Sequence, residues 1–334
     1  MNANVSKYDL TICVCTYNAE KYIAETLNSL RKQTYKKFKL LVIDDGSTDR
    51  TVSVVEHYAK AGWTDFELFL MSKNRGTAYV RNFALNYVTT KYMMFFDSDD
   101  IALPEMIEAM YHRITEDSDL IAVGCFCKYM DSNGRHLPGG IFWRHKDREA
   151  FNSAAKAGKM FFMTLPAVFI RDYAINAGGY RQKDWFPVSK HGRYEDLSED
   201  IDLWGRMSDF YVENKWITII DTPLYYYRKQ ISSLSAGFAK SRMMGQKMMY
   251  IKHNQLRRRA NLPEDKFVSY WQKLPWWKKM NFERRNMGGF LYRSACFCWV
   301  ERKFFGCAVM LFFSAFLAPE YLVKKLNLNF SKSL

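Results

Sequence analysis

Tyr92-Met93-Met94-Phe95-Phe96-Asp97-Ser98-Asp99-Asp100 is the stretch that decides the fold. Its first five residues are apolar or aromatic without alternation, which is typical of a strand buried on both faces of a helix-covered sheet. Three carboxylates then follow within four residues. In open α/β sheets, ligands bind beyond the carboxyl ends of the strands, so this acidic turn (97–100) lies where a binding site is expected.

The three carboxylates of the acidic turn repel one another unless positive charge lies among them. A divalent cation with oxygen ligands, Mg²⁺ or Mn²⁺, would supply that charge and would also bind a phosphate. The alternative is a solvated acidic turn without a ligand, because so short a motif is weak by itself. The buried strand before the turn and Leu103-Pro104, which opens a helix after it, favour a site.

Short apolar segments alternate with amphipathic ones through the first 130 residues. The sequence predicts strands at 10–15, 39–43, 66–71, 92–96 and 120–129, and helices at 19–32, 51–60, 77–88 and 104–115. This alternation predicts a doubly wound, mostly parallel central sheet flanked by helices. Three strands end in polar clusters, at Tyr17-Asn18, Asp44-Asp45 and the acidic turn. Parallel strands would bring these clusters onto one rim and form a pocket.

The middle of the chain is less regular. Residues 131–148 are predicted to be a loop, because Asn133-Gly134 and Gly139-Gly140 are turn signals. A polar and aromatic loop at 182–197 precedes a helix that begins near Ser198, a candidate N-cap. Two short strands are predicted at 216–220 and 224–227.

The positive charge is concentrated at the end of the chain. The net charge is +14, and residues 241–334 carry 18 Lys and Arg against 5 Asp and Glu. A partner of opposite sign is therefore expected to meet this region. The sequence predicts a sheet domain at 1–240 and a basic, apolar, helical appendage at 241–334.

Within this appendage, Phe304 to Pro319 contains 16 residues without a charge, between Arg302-Lys303 and Lys324-Lys325. A helix needs about 20 apolar residues to span a bilayer, so this run is short. Its cationic flanks predict a helix lying in a membrane interface near anionic headgroups. A buried core helix and a dimer contact are the alternatives. Nucleic acid is disfavoured, because long apolar runs interrupt the basic residues.

The seven cysteines do not suggest a metal site. They occur mainly as C-x-C pairs, and in a strand two residues at this spacing lie on one face and read as small core residues. No C-x-x-C or histidine spacing indicates zinc. Lys7-Tyr8-Asp9 interrupts any apolar leader. Reduced thiols and the lack of a leader predict a cytoplasmic protein.

The polar motifs also occur in a recognisable order: Thr16-Tyr17-Asn18, Asp44-Asp45-Gly46-Ser47-Thr48-Asp49, Asn74-x-Gly76 with Arg81-Asn82, Asp97-x-Asp99-Asp100, and Glu199-Asp200 before Asp202-Leu203-Trp204. This order resembles the family 2 glycosyltransferases, inverting enzymes of the GT-A (Rossmann-like) fold. The resemblance covers residues 10–235, with Tyr225-Tyr226-Tyr227-Arg228 and Ser232-Ser233 near its end. Gln230 stands where the family often has a histidine that reaches the metal or diphosphate.

The resemblance implies a role for each matched position on the donor side. Tyr17 and Asp45 would hold the nucleotide base, with Asp44 as a less favoured substitute for Asp45. Asp97 and Asp99 would hold the ribose and a Mn²⁺ or Mg²⁺ ion on the diphosphate.

Three further roles follow from the same resemblance. Asp200 would be the general base, whereas Glu195-Asp196 just upstream is a decoy pair. Arg81 and Arg228 are candidates for the diphosphate.

The implied reaction is a metal-dependent, inverting transfer of one hexosyl or N-acetylhexosaminyl group. The donor would be a nucleotide-sugar, with a UDP-sugar expected. The acceptor would be a saccharide or lipid-linked saccharide in cell-surface polysaccharide or lipopolysaccharide biosynthesis, at the inner face of the membrane. A processive synthase is disfavoured, because Gln272-Lys273-Leu274-Pro275-Trp276 lacks the arginine of Q-x-x-R-W.

Two other classes of protein remain as alternatives. A sugar-phosphate nucleotidyltransferase would need a Gly-rich, Arg-containing loop after the first strand, where Thr16-Tyr17-Asn18-Ala19-Glu20 stands instead. A non-catalytic carbohydrate-binding or scaffold protein would have no reason to keep acids at three strand ends.

Overall fold

The computed structural model describes residues 7–60, 62–63, 65–141, 147–161, 163, 166–190, 192–229, 237–300, 303–320 and 323. The strands are β1 (Leu10–Thr16), β2 (Lys39–Asp44), β3 (Phe66–Leu70), β4 (Tyr92–Asp97), β5 (Ile101–Ala102), β6 (Leu120–Met130), β7 (His136–Ile141), β8 (Ala167–Ile170) and β9 (Trp216–Arg228). The helices are α1 (Ile23–Arg31), α2 (Thr51–Lys60), α3 (Thr77–Tyr87), α4 (Met106–Thr115), α5 (Arg148–Lys156), α6 (Arg171–Asn176), α7 (Glu199–Met207), α8 (Phe238–Arg259), α9 (Phe267–Lys273), α10 (Trp276–Val300) and α11 (Phe304–Leu317).

The strands form one sheet in the order β3-β2-β1-β4-β8-β6-β9-β5, with β7 paired to β6. The pairs β1–β2, β1–β4 and β2–β3 are parallel. β8 lies antiparallel between β4 and β6, and β6 and β9 are again parallel. The expectation of a mostly parallel sheet flanked by helices is therefore confirmed.

The β4 stretch forms the centre of the core, as its apolar run predicts. All five residues from Tyr92 to Phe96 are buried. The ring of Phe95 stacks on Phe169 of β8 and meets Tyr180 edge to face. A strand covered on both sides needs no alternating pattern, which explains why the sequence shows none.

The strand register places the three polar clusters at one rim of the sheet. Thr16 at the end of β1 pairs with Asp44 at the end of β2. On its other side, β1 pairs Cys15 with Asp97 at the end of β4. Residues far apart in the sequence thus meet at the carboxyl ends of three neighbouring parallel strands.

The structure differs from the sequence-based expectation in three places. Residues predicted as loop include β7, which pairs with β6 through the Asn133-Gly134 turn. The two strands predicted at 216–220 and 224–227 are one irregular strand, β9, with a register shift where Pro223 interrupts the ladder. Ser198 does not cap α7, since it has φ 56° and its hydroxyl bonds to nothing in the described part of the chain.

Helices α8 to α11 make up most of the described residues from 238 onward, and the first of them, α8, packs on the helices that flank the sheet. The division of the chain at 240/241 stays a prediction. Tyr250 and Ile251 of α8 are buried. Arg258 and Arg259 of the same helix both pair with Asp209, at 2.5 and 2.7 Å. α8 is therefore held to the body of the protein by apolar contacts and ion pairs.

α10 and α11 form a helical hairpin at the end of the described chain. The hydroxyl of Ser314 donates to the carbonyl of Gly288 at 2.8 Å. A Cβ at Gly288 would lie 2.5 Å from the Cβ of Ala318, so the close approach of this segment to α10 requires glycine. Within the described residues, no helix combines the length and apolarity needed to cross a bilayer.

Candidate functional site

The acidic turn keeps two carboxylates accessible and buries the third. Asp97 and Asp99 are partly exposed, whereas Asp100 is buried and accepts a hydrogen bond from the backbone N–H of Arg228 at 2.9 Å. Burial raises the pKa of Asp100 well above its usual range, and the charges of Asp99 and Asp97 raise it further. Asp100 thus anchors the turn, while Asp97 and Asp99 face the rim.

The side chain of Arg228 lies beneath the turn and is 1% exposed. Its Nε donates to the carbonyl of Asp99 at 2.8 Å, and its Nη2 meets Glu25 at 2.8 Å. The guanidinium also lies 4.4 Å from the ring centroid of Tyr22. Arg228 therefore fixes the backbone of the acidic turn, and its contact with a diphosphate stays a prediction.

Arg81 of α3 joins the acidic turn to the start of α7. Its Nη2 meets Asp97 at 3.1 Å, and its Nη1 bonds to Glu199. Burial by itself would lower the pKa of Arg81, but Glu199 and Asp97 outweigh burial and raise it. A buried guanidinium that remains charged is thus the bridge between two elements about one hundred residues apart.

Glu199 and Asp200 form the first turn of α7 beside this guanidinium. Burial raises the pKa of Glu199 to about 7; Arg81 opposes that rise and the charge of Asp200 adds to it. Burial also raises the pKa of Asp200, while Arg81 and the backbone N–H of Ile201 lower it. Burial and neighbouring negative charges therefore keep the pKa values of both acids closer to neutral pH than the pKa of an exposed acid.

Asp45 holds the loop that leads into α3. Its two carboxylate oxygens accept backbone N–H groups of Arg75 at 2.7 Å and Gly76 at 2.8 Å. Burial raises the pKa of Asp45, and these two hydrogen bonds oppose the rise. Each oxygen keeps a second lone pair, so the proposed contact with a base N–H is compatible with this arrangement.

Asp44 and Tyr17, the two other residues predicted to face a nucleotide, lie in different environments. Asp44 is buried and accepts the backbone N–H of Ser47 at 2.8 Å, so it shapes the turn after β2. The Tyr17 side chain is 47% exposed at the end of β1, which leaves its ring free to stack. Asp45 is also buried and also accepts backbone N–H groups, so the choice between Asp45 and Asp44 as the contact of a base stays a prediction.

Cys15 marks the point around which these groups collect. Burial raises its pKa to about 12, Arg81 opposes the rise, and Asp97, Asp45 and Glu199 add to it. The backbone N–H of Asp45 donates to the carbonyl of Thr16, next to Cys15, at 2.8 Å, and Arg81 bonds to both Asp97 and Glu199. These groups therefore lie around a single part of the rim. The acids predicted from separate motifs are therefore brought together, and not scattered over the surface.

Lys247 is a functional candidate that the sequence reading missed. It lies on α8, is buried, and its ammonium donates to the carbonyls of Tyr194 at 2.8 Å and Glu195 at 3.3 Å. Burial lowers its pKa, whereas Asp202, Glu199, Asp196 and Asp200 raise it. The sequence does contain a pattern that could have identified Lys247. It lies four residues after Met243 and three before Tyr250, a spacing that places a lysine on the buried face of the helix.

Asp196, read from the sequence as a decoy, ties the loop before α7 to the loop before α3. Its Oδ1 accepts the backbone N–H of Ala78 at 2.9 Å, and its Oδ2 meets Arg193 at 3.3 Å. Arg193 in turn donates to Asn74 at 2.8 Å. Gly76 has φ 94°, and a Cβ there would lie 2.5 Å from the Asp196 carboxylate, so the contact requires glycine.

The donor set at the rim suits a cation that shares its ligands with a bound phosphate. Among the described residues, no group of three or more His, Cys, Asp or Glu side chains forms a metal site by itself. Asp97 and Asp99 are two partly exposed carboxylates. Mg²⁺ and similar ions are commonly held by one or two carboxylates plus substrate phosphates, so the residues present fit such an ion. Gln230, at the family's frequent histidine position, and Ser232-Ser233 lie outside the described residues.

Comparison with known proteins identifies relatives of this chain. Residues 11–178 match the family model described as Glycosyl transferase family 2. The glycosyltransferase GlyA of Streptococcus pneumoniae is 26% identical over 231 residues, which are 68% of this chain and 31% of that protein. The chain thus spans about a third of the length of this curated relative.

Two solved structures share the fold. TarS residues 1–349 of Staphylococcus aureus, in complex with UDP-GlcNAc, superpose with a TM-score of 0.53 at 20% identity, over 85% of this chain and 80% of that chain. The mannosyltransferase PcManGT of Pyrobaculum calidifontis, in complex with GDP-Man and Mn²⁺, gives a TM-score of 0.52 at 19% identity, over 76% and 65%.

Replacement of Arg81 tests the buried bridge. We expect Arg81→Met to lower the free energy of unfolding by about 3–5 kcal/mol near pH 8, because it leaves Glu199 buried without its counter-charge. The loss should be smaller at pH 6. The pKa of Glu199 is higher in the folded protein than in the unfolded chain, so the folded state binds the proton of this carboxyl more tightly. The free energy of unfolding therefore falls as pH rises and Glu199 loses that proton. Urea unfolding at both pH values measures this.

Two controls make the Arg81 test specific. Arg50→Met removes a surface arginine that pairs with Glu20, and we expect a change below about 0.5 kcal/mol. Arg81→Met/Glu199→Met should recover part of the lost stability, since an apolar pair replaces the buried charges. Equal stability of Arg81→Met at pH 6 and pH 8 would contradict the assignment.

Proposed function

Since the family model covers residues 11–178, half of this chain, the chain belongs to glycosyl transferase family 2 and is a glycosyltransferase, and we propose that it transfers one sugar from a nucleotide-sugar donor with inversion. The observation that carries this proposal is the Arg81 bridge. It joins the acidic turn at the end of β4 to the first turn of α7, where Asp200 lies. A leaving-group site and a base are thus assigned to opposite sides of one rim.

The donor would lie across the carboxyl ends of β1, β2 and β4. Tyr17 would stack on the base and Asp45 would accept its ring N–H. The structure of TarS contains UDP-GlcNAc, which supports a UDP-sugar and a hexosyl or N-acetylhexosaminyl group here. Arg81, a buried guanidinium bonded to Asp97 and Glu199, would add positive charge near the diphosphate.

Asp97 and Asp99 would hold a Mn²⁺ or Mg²⁺ ion together with the donor diphosphate. The Mn²⁺ in the PcManGT complex supports this assignment of a divalent cation. When bound, such a cation supplies positive charge that stabilises the leaving diphosphate. Arg228 would act by keeping the turn in place, since it bonds to the backbone of Asp99.

Asp200 would take the proton from the acceptor hydroxyl as that oxygen attacks the anomeric carbon. A hydroxyl is a weak nucleophile, so a carboxylate within hydrogen-bond reach is needed to remove its proton in the transition state. Attack opposite the leaving diphosphate inverts the anomeric centre, so one base is enough and no covalent intermediate forms. The raised pKa of Asp200 makes it a stronger base than an exposed aspartate.

The acceptor would be a saccharide carried at a membrane surface, as in cell-surface polysaccharide or lipopolysaccharide biosynthesis at the inner face of the membrane. α11 exposes an apolar face formed by Phe305, Val309, Phe312 and Phe316, and Phe305 is 86% exposed. Lys303 precedes this helix, and Arg284 and Arg285 lie on the neighbouring α10. An apolar face with cationic neighbours suits an interface with anionic headgroups.

Substitution of Asp200 tests the proposed reaction. We expect Asp200→Asn to bind UDP-sugar with a Kd within about threefold of wild type, while kcat falls by about 10² to 10⁴-fold. The assay is donor turnover with Mn²⁺ and with excess chelator, and calorimetry measures donor binding. Glu213→Gln, an exposed carboxylate change on a neighbouring turn, serves as the control. An undiminished kcat in Asp200→Asn would show that another residue is the base.

Lys247 provides a pH test of the same assignment. Its positive charge lowers the pKa of Asp200, so Lys247→Met should raise that pKa and shift the acidic limb of the kcat/KM profile to higher pH. Lys252→Met, on the same helix, should leave the limb in place. A lower kcat at every pH with an unmoved limb would show that Lys247 acts on structure alone.

The apolar face of α11 gives a separate test of the membrane assignment. We expect Phe305→Ser/Phe316→Ser to weaken binding to anionic vesicles by about 10-fold or more, because two large side chains no longer enter the interface. Transfer to a soluble acceptor should remain unchanged. Vesicle flotation measures the binding, and light scattering measures oligomeric state. If wild type is a dimer that these changes dissociate, with vesicle binding unaltered, the face is a dimer contact instead.

A further inference from the structure

A pocket of about 410 Å³ lies between α8 and α10, within the range that small ligands occupy. Its lining residues come only from these two helices: Gly245, Met249, Lys278, Asn281, Phe282, Arg285, Asn286, Gly289 and Arg293. It belongs neither to the rim of the sheet nor to the exposed face of α11. None of the residues assigned above to the nucleotide-sugar, the metal ion or the base lines it.

The charged side chains that line this pocket are all positive. Lys278, Arg285 and Arg293 line it, and no described carboxylate does. Arg285 reaches Glu320 at 3.2 Å, but Arg293 bonds only to a neutral hydroxyl, that of Ser241 at 2.6 Å, among the described residues. Three cations gathered in a concave surface create a positive potential that attracts an anion.

Two polar groups of the pocket lack a partner that a ligand could supply. Lys278 has no carboxylate partner in the described chain and lies 5.3 Å from the ring centroid of Trp277. The Nδ2 of Asn286 is buried without a hydrogen-bond acceptor among the described residues. A buried amide donor is costly to leave unsatisfied, so an acceptor oxygen here would lower the free energy.

The walls of the pocket are fixed by close contacts between the two helices. A Cβ at Gly245 would come within 2.8 Å of the ring of Phe282, so α8 and α10 approach closely at this point. Glu283 of α10 pairs with Arg242 of α8 and is neutralised by it. The nearby acid therefore acts as a clamp between helices and does not cancel the charge of the pocket.

The residues around the pocket indicate which kind of molecule would carry the bound anion. Trp276, Trp277 and Met280, beside Lys278 on α10, are exposed apolar side chains, with Trp276 72% exposed. On the other side of α8, Lys247 contacts the loop before Asp200. The pocket is therefore one helix thickness, about 10 Å, from the proposed catalytic helix, and it opens beside an apolar surface.

We propose that this pocket binds the pyrophosphate that joins the lipid to the sugar in a lipid-linked acceptor. The inference rests on the proposed function for the identity of the acceptor. Phosphate oxygens would accept from the Asn286 amide and from the three cations, which suit a doubly charged group. The apolar chain would leave along α10 beside Trp277 and Met280 into the bilayer.

The test compares vesicles of equal surface charge that contain either phosphatidic acid, whose headgroup can carry two charges as a pyrophosphate does, or phosphatidylglycerol, whose phosphodiester carries one. Wild type should bind phosphatidic acid about 10-fold more tightly, because a doubly charged headgroup matches the charge-assisted donors of the pocket. Lys278→Gln/Arg293→Gln should lose this preference. Lys273→Gln/Lys279→Gln, which removes two charges outside the pocket, should keep it, although its overall binding also weakens.

The possible outcomes separate this proposal from its alternatives. Equal preference in the pocket variant and its control, or no preference in wild type, would overturn the proposal. A thermal shift with inorganic pyrophosphate that depends on Lys278 and Arg293, without a preference for phosphatidic acid, would show a site for free anions and overturn the lipid assignment. Donor hydrolysis with Mn²⁺ should be the same in both double variants, so failure of the proposed function would be seen separately.

Discussion

The ion pairs of Arg81 with Glu199 and Asp97 are the constraint on which the rest of the site depends. Acids from three strand ends and one helix lie at the rim, and their carboxylates would repel one another without a buried cation. Arg81 sits on α3, whose start is fixed by Asp45 through the backbone of residues 75 and 76. The position of one guanidinium is thus set by the same loop that borders the proposed nucleotide site.

This arrangement links the two sides of the proposed reaction centre. Asp196 holds the first turn of α3 from the loop before α7, and Lys247 holds that loop from α8. Short polar contacts therefore connect the proposed donor side to the helix that carries Asp200. Of the basic region, α8 contacts the loop before the proposed catalytic helix, whereas the hairpin of α10 and α11 presents apolar and cationic surfaces outward.

The sequence predicts the mostly parallel sheet and its rim because buried strands ending in acids leave a strong local pattern, as at Phe95-Phe96-Asp97. It does not predict β7, because Gly139-Gly140 reads as a turn although edge pairing tolerates it. Nor does it predict the roles of Asp196 and Lys247, since their partners lie 118 and 53 residues away. Local patterns fix elements, whereas such contacts depend on how the elements pack.

The central claim is that acids from separate motifs surround one nucleotide diphosphate, with Asp200 facing it across the space of one sugar. A crystal structure with UDP and Mn²⁺, with an anomalous difference map at the manganese edge, tests this most directly. The account predicts one manganese peak bonded to the carboxylates of the acidic turn and to the diphosphate, the base between Tyr17 and Asp45, and Asp200 across the sugar space. Nucleotide bound away from the ends of β1, β2 and β4, or manganese without contact to Asp97 or Asp99, would contradict it.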